Sequence, residues 1–439
     1  MILSCPVRSS TNSFRGVLLF AGVLLKRVPP LPIPNRAVKS LEPDDTAVLY
    51  GGKVGYASIQ KHYSQKTPLG VFSFDISFII KDMQSSMHTA LVRVDFNIES
   101  KNDTFRLKAA LPTITALLES GHRVVLLSHR GRPRQKNPSS TLEIIVKPLS
   151  KLLKQKVAFI PFTRDFKKIK AIIRRKKEKV ILLENLRFHP GEEKNTKVFA
   201  KNLASLGDFF INEAFSSSHR KHASIVGISE FLPAFAGMQF EEELWHIEAI
   251  KKNPWHPFVL IIGGVKVGDK AAVIERLLKT TDHVLLGGGV ANTFFAARGL
   301  PVGKSRHDEE FKNKIPISWK TNKKIVMPED VIIEGGQILD VGPKTIQRYQ
   351  KYISKAHTVV WSGPMGYFEK SAYANGTKGI WKALIKNRNA EILIGGGETV
   401  ASHFLIGGKI PKNIFLSTGG SAMLQYLAGK KLPGIEALK

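Results

Sequence analysis

The sequence predicts an α/β protein: two Rossmann-like, three-layer αβα domains with mainly parallel sheets, joined by a hinge. Three observations carry this expectation. The chain has 439 residues, more than one ordinary core accommodates. Apolar runs of strand length alternate with longer amphipathic runs, the pattern of βαβ units and a parallel sheet. The alternation occurs twice, on either side of Asn253–Pro254–Trp255–His256–Pro257, where two prolines suit a linker.

In the first half, strands are expected at Leu91–Phe96, Arg123–His129, Val157–Pro161, Lys179–Asn185 and Phe209–Phe215. Helices are expected at Ala109–Ser120, Thr141–Leu153 and Thr196–Leu206. In the second half, strands are expected at Phe258–Gly264, His283–Gly289, Thr358–Gly363, Glu391–Gly397 and Asn413–Gly419. Their helices are Lys270–Thr280, Val290–Arg298, Pro343–Ala356 and Gly376–Lys386, and a helix around Glu242–Lys251 is the connector.

Residues 1–86 stand outside this pattern. They carry Arg8, Arg15, Lys26 and Arg27 before the first acid, Glu42, around an apolar run from Gly16 to Leu25. That run resembles a signal or transit segment but is too short to span a bilayer. Met83 and Met87 lie just upstream of the first convincing strand, so a disordered or untranslated extension is preferred to a targeting segment. The lone cysteine, Cys5, cannot form an internal disulfide, so no oxidising compartment is required. The formal charge of +30 attracts anions: nucleotides, sugar phosphates, nucleic acid or acidic lipid. It is read equally as a basic surface without a specific partner.

Open parallel sheets bind ligands at the carboxyl ends of their strands, and the polar residues sit there. In the first half, LVRVDFN places Asp95 and Asn97 past a buried strand, and SHRGRP offers His129 and Arg132. ENLRFHP offers Arg187, NEAFSSSHR offers His219 and Arg220, and Arg106 opens a helix. Guanidinium forks and imidazoles converging from several strands suit a small, multiply charged anion. The basic run Lys167–Lys179 lies on an expected helix and is read as a solvated face rather than a nucleic-acid contact.

In the second half, glycine clusters follow the strands at Gly263–Gly264, Gly287–Gly289, Gly395–Gly397 and Gly419–Gly420. Glycine permits close approach of backbone to phosphate, and helix starts offer N–H groups. GGVKVGDK adds Lys266 and Lys270, point charges suited to a polyphosphate or a phosphoryl group in transfer. Glu398 and Thr399 follow the third cluster, where Mg²⁺ bridging phosphates needs an oxygen ligand. WSGPMGYFE supplies a turn through Pro364 and ends in Glu369, a ribose-binding candidate. GLPVGKS at Gly299–Ser305 imitates a P-loop but is one residue short and follows a helix, so it is set aside. A dinucleotide-dependent dehydrogenase is excluded, because no strand end carries GxGxxG with the required acid.

RVDFN, ENLRFHPGEE, GGVKVGDK, GGGVANTF, DVGPKT and STGG stand in one order, and over roughly Ala90 to Lys439 the chain resembles phosphoglycerate kinase. The resemblance implies a 3-phosphoglycerate-binding domain at 87–252, a nucleotide-binding domain at 253–417, and a segment 418–439 that returns to the first domain. It implies that Asp95, Asn97, Arg106, His129, Arg132, Arg187 and Arg220 bind 3-phosphoglycerate, with His219 beside them. Gly263, Gly264, Gly287, Gly288, Pro364, Gly395, Gly396, Gly397 and Thr399 would line the nucleotide, with Glu369 on the ribose and Glu398 on Mg²⁺. Lys266, Lys270, Arg106 and the N–H groups of Gly396, Gly397, Gly419 and Gly420 would serve the transferring phosphoryl group. The expected partners are ATP or ADP, 3-phosphoglycerate and 1,3-bisphosphoglycerate, for a glycolytic, cytoplasmic, monomeric enzyme that closes its domains and binds no membrane.

The chain departs from the family pattern at Glu398 and Glu213, each in place of Asp, and at Ser362 in place of Asn. Ser421, Arg130, Glu99 and Ile338 are further departures. They bear on nucleotide affinity and metal preference, and they motivate the alternative of a degenerate kinase that binds RNA through its basic surface.

Overall fold

The computed structural model describes residues 87–98, 103–133, 137–265 and 267–438. The expectations for residues 1–86, Glu99 and Lys266 lie outside the described residues.

The first sheet contains β1 (Thr89–Arg93), β2 (Arg123–Leu127), β3 (Val157–Ile160), β4 (Val180–Leu183), β5 (Phe209–Asn212) and β6 (Ala234–Ala236). All neighbours are parallel, in the order β3-β4-β2-β1-β5-β6. Alternate residues reach opposite faces, as the pleat requires. Val92, Val124, Leu126 and Leu182 pack with Ile114, Leu117 and Leu149 of the helices on one side. Leu91, Val125, Ile181 and Phe210 pack with Ile169, Ile173, Phe199 and Leu203 on the other. Burial on both faces explains why these strands read as continuous apolar runs.

The second sheet contains β7 (Phe258–Ile262), β8 (His283–Leu286), β9 (Ile325–Val326), β12 (Thr358–Ser362), β13 (Glu391–Gly395) and β14 (Ile414–Leu416). It is also parallel, in the order β14-β13-β12-β7-β8-β9. Leu260, Ile262 and Val284 face Ile274, Val290 and Phe294. Val259, Ile261 and Trp361 face Tyr349, Ile353 and Trp381.

The connector helix runs Met238–Lys252, and its Phe240, Leu244, Ile247 and Ile250 join the second half's core. Near the end of the chain, Gly434 N–H donates to the Ser218 carbonyl at 2.8 Å, so the last segment returns to the first half.

Every expected strand exists, but each ends earlier than its apolar run implies, because the polar residues at its carboxyl end leave the ladder. The helix expected from Ala109 is two, Phe105–Ala109 and Leu111–Glu119, with Pro112 in the first turn of the second. Strands β6 and β9, at three and two residues, are too short to show a period. The antiparallel hairpin of β10 (Val331–Glu334) and β11 (Gln337–Val341) is also additional, turning through Gly335 and Gly336 with φ of 58° and 74°. The set-aside GLPVGKS segment follows the helix Gly288–Ala297, as the sequence argument requires.

Candidate active site

The first sheet gathers its basic residues beyond β1, β2, β4 and β5. Asp95 is buried, pairs with Arg106 and accepts the Ser216 hydroxyl. Its Oδ1 also accepts from Asn97 N–H at 3.1 Å, fixing the turn after β1. Asn97 Oδ1 in turn accepts from Gly131 N–H at 2.8 Å. Arg187 is buried, donates to the Gly131 carbonyl and lies 3.1 Å from Glu193. Arg220 Nε donates to His219 Nε2 at 3.1 Å, while Arg132 is exposed.

His129 is buried, and Arg93 lies against its Nδ1 at 2.9 Å. Burial first, and then the charges of Arg93, Arg220, His222 and Arg106, hold the His129 imidazole well below its ordinary range. Burial likewise lowers Arg220, with Arg132 adding to the effect. Each cation thus raises the cost of the next, a surplus of positive charge that an arriving anion relieves.

Sequence reasoning missed four members of this cluster. Arg93 is fully buried inside β1, and its Nε donates to Ser224 Oγ at 2.8 Å. Ser224 Oγ donates onward to the buried Glu192 at 2.6 Å, and His222 Nδ1 lies 3.7 Å from the same carboxylate. The available signal was an arginine within an apolar strand, where a charge persists only if partnered.

His222 carries a pH prediction. Burial, then Arg93, Arg220 and His219, lower its pKa from 6.5 to about 4. A depressed base contributes stability above the unfolded value and loses it as pH falls through the folded one. Denaturant unfolding at pH 7 and pH 4 is therefore expected to show a smaller loss of stability in His222→Gln than in the unmodified chain. An equal or larger loss in the variant would contradict this.

In the second half, three glycine segments interlock. Gly263 N–H donates to the Ser362 carbonyl, Gly264 N–H to Pro364 and Gly288 N–H to Met365, all at 2.8–2.9 Å. Thr399 Oγ1 accepts from Gly363 N–H at 2.7 Å. Lys270 is buried and donates to the Gly263 carbonyl, so here it braces the glycine floor. A methyl group on Gly287 would meet Met365, on Gly395 Met423 and on Gly419 Phe215, so these glycines serve packing. Around Gly397 and Gly420 there is open space. Gly396 precedes the helix Gly397–Ala401. Gly419 N–H donates to Ser417 Oγ at 2.9 Å rather than facing outward. Glu369 and Glu398 are exposed.

Glu398 stands in the first turn of its helix. No group of three or more His, Cys, Asp or Glu among the described residues could hold a metal ion. A single exposed carboxylate beside open backbone fits Mg²⁺ that arrives on nucleotide phosphates, the usual mode for that ion.

The two halves meet at a small cavity lined by Asp95, Arg106, Glu213, Gln239 and Thr418. Glu243, fully buried on the connector helix, accepts from Ser417 Oγ at 2.6 Å and from Thr418 Oγ1 at 2.8 Å. Burial pushes Glu243 up from its ordinary value and Glu213 to about 7. Desolvation lowers Arg106, against the opposing pull of Glu243.

The phosphoglycerate kinase family matches residues 80–430, a stretch that begins within the segment set apart as an extension. A phosphoglycerate kinase of Chloroflexus aurantiacus is 40% identical over 403 residues, covering 82% of this chain and 98% of that protein. One from Moorella thermoacetica is 39% identical over 389 residues, with the same coverage. Among solved structures, phosphoglycerate kinase from Pyrococcus horikoshii OT3 superposes with a TM-score of 0.71 at 32% identity, and that from Coxiella burnetii with 0.68 at 32%. Each covers 82% of this chain and 97% of its own. The RNA-binding alternative gains no support from these relatives. With two parallel sheets, a basic cluster on one and a glycine floor on the other, the chain belongs to the phosphoglycerate kinase family.

Proposed function

We propose that the chain transfers a phosphoryl group reversibly between Mg-ATP and the carboxylate of 3-phosphoglycerate, giving 1,3-bisphosphoglycerate and ADP, as a glycolytic enzyme. The observation that carries this is the pairing of two unlike half-sites at one cavity. Asp95 and Arg106 come from the first half and Thr418 from the second.

A carboxylate is already a competent nucleophile, so the reaction needs no general base, and catalysis rests on positioning and charge. Arg106 would exchange its contact with Asp95 for the reacting carboxylate. His129, Arg132, Arg187 and Arg220 would hold the phosphate end, with Asp95 and Asn97 orienting the hydroxyl. Lys266 and the N–H groups of Gly396, Gly397 and Gly420 would bind the oxygens of the transferring group. Mg²⁺, held by Glu398 and the nucleotide, would offset phosphate charge. Glu369 would hold the ribose.

The boundaries 87–252, 253–417 and 418–439 stand as proposed domain limits, with closure between the first two excluding water from the transfer. A monomer in the cytoplasm fits this chemistry. No helix among the described residues is long and apolar enough to cross a membrane.

The test is ADP formation from Mg-ATP by the full chain, with and without 3-phosphoglycerate. Turnover that depends on 3-phosphoglycerate is expected. Its absence in a folded preparation would refute the assignment.

A further inference from the structure

The connector helix has an unusual start. Its N-cap, Gly237, has no side chain, and a methyl group there would lie 1.7 Å from Glu213 Oε2. The space that a local cap would fill is taken by a carboxylate from the end of β5. Glu213 accepts from Gln239 N–H at 3.1 Å through Oε1 and from Phe240 N–H at 3.3 Å through Oε2. Thr113, on the helix Leu111–Glu119, donates to Glu213 Oε1 at 2.7 Å and accepts from Met238 N–H at 2.8 Å.

Three first-turn N–H groups are therefore satisfied from two other elements of the first half, both next to the proposed substrate residues. Ordinary capping stabilises a helix from the residue that adjoins its first turn. Borrowed capping fixes where the helix stands relative to the sheet that lends the cap. Further along the same helix, Glu243 accepts from Ser417 and Thr418, immediately before Gly419 and Gly420. The cavity lined by Arg106, Glu213 and Thr418 lies at this junction.

We infer that Glu213 is a positioning residue for phosphoryl transfer. It locks the connector helix to the 3-phosphoglycerate half of the site and, through that helix and Glu243, sets the Ser417–Gly420 segment against Arg106. The length of the glutamate side chain supplies the reach to both N–H groups across Gly237. This role rests on the kinase assignment above.

The test compares the full chain with Glu213→Ala, Glu213→Gln and Thr113→Val. Unfolding curves establish that each variant folds. Affinities for 3-phosphoglycerate alone and Mg-ADP alone are measured apart from kcat. In Glu213→Ala, kcat is expected to fall about tenfold or more, the scale of misplacement effects, with both binary affinities held within about twofold. Glu213→Gln, whose carbonyl still accepts from the helix, is expected to recover most of that loss. Thr113→Val is expected to lose about threefold in kcat, and nothing further when combined with Glu213→Ala. It tests the proposal even where the alanine variant does not fold. Full kcat in folded Glu213→Ala or in Thr113→Val overturns the role. So does a loss of 3-phosphoglycerate affinity that tracks kcat, which would place Glu213 in the substrate pocket. An unmodified chain without 3-phosphoglycerate-dependent turnover defeats the kinase assignment itself, a separate result.

Discussion

Arg106→Ala is expected to lower kcat/KM for 3-phosphoglycerate about a thousandfold, equivalent to about 4 kcal/mol of transition-state stabilisation. The guanidinium is largely buried, pairs with Asp95 and feels Glu243. Removing it takes away the cation proposed to hold the reacting carboxylate. It also leaves the buried Asp95 without its counter-charge, and breaking one member of such a pair is costly. Arg106→Lys keeps the charge but not the planar fork, so an intermediate loss is expected. Steady-state kinetics with Mg-ATP saturating decides the matter. A kcat/KM within tenfold of the unmodified enzyme would remove Arg106 from the reaction.

Gly363→Ala is expected to act on the fold first and on the nucleotide second. Gly363 has φ of 94°, and a methyl group there would lie 2.1 Å from the Gly263 carbonyl oxygen and 2.3 Å from its carbon. Both obstacles are backbone at the end of β7, so no side chain can swing away. The left-handed penalty and overpacking together suggest a loss of about 3–5 kcal/mol. The displacement would strain the bond from Gly363 N–H to Thr399 and the Trp361 indole bond to the Gly363 carbonyl. Thermal unfolding should fall by roughly 10 °C, and any folded enzyme should need more ATP to saturate. Unchanged thermal stability would show that the glycine loops can separate more easily than their packing implies.

The parts of this site legible in the sequence were those where a polar residue interrupts an apolar run. Asp95, His129 and Arg187 follow buried strands, and strand ends are where an open parallel sheet exposes its edges. Arg93 escaped notice because it lies inside its strand, where alternation gives no warning of a partner far along the chain. Glu213 was visible only as a departure from aspartate, since its use depends on Gly237 and Thr113 arriving from separate elements. The glycines were legible as close approaches, but not as approaches to what. Gly263 meets the Pro364 carbonyl and Gly395 meets Met423, contacts that depend on register between distant strands. The β10–β11 hairpin was illegible because its first strand is largely exposed and lacks an apolar period.

The bond from Gly434 to Ser218 also bears on how the chain is made. A ribosome releases Ser218 long before Gly434 has been polymerised. During that interval the first sheet can form its ladder and both of its faces, yet Ser218 has no partner from the tail. Leu432, Ile435 and Leu438 then add their side chains to the core around the connector helix. Residues 432–438 thus act as a clasp, and the packing around Ser218 and the connector helix is finished only once they have been made.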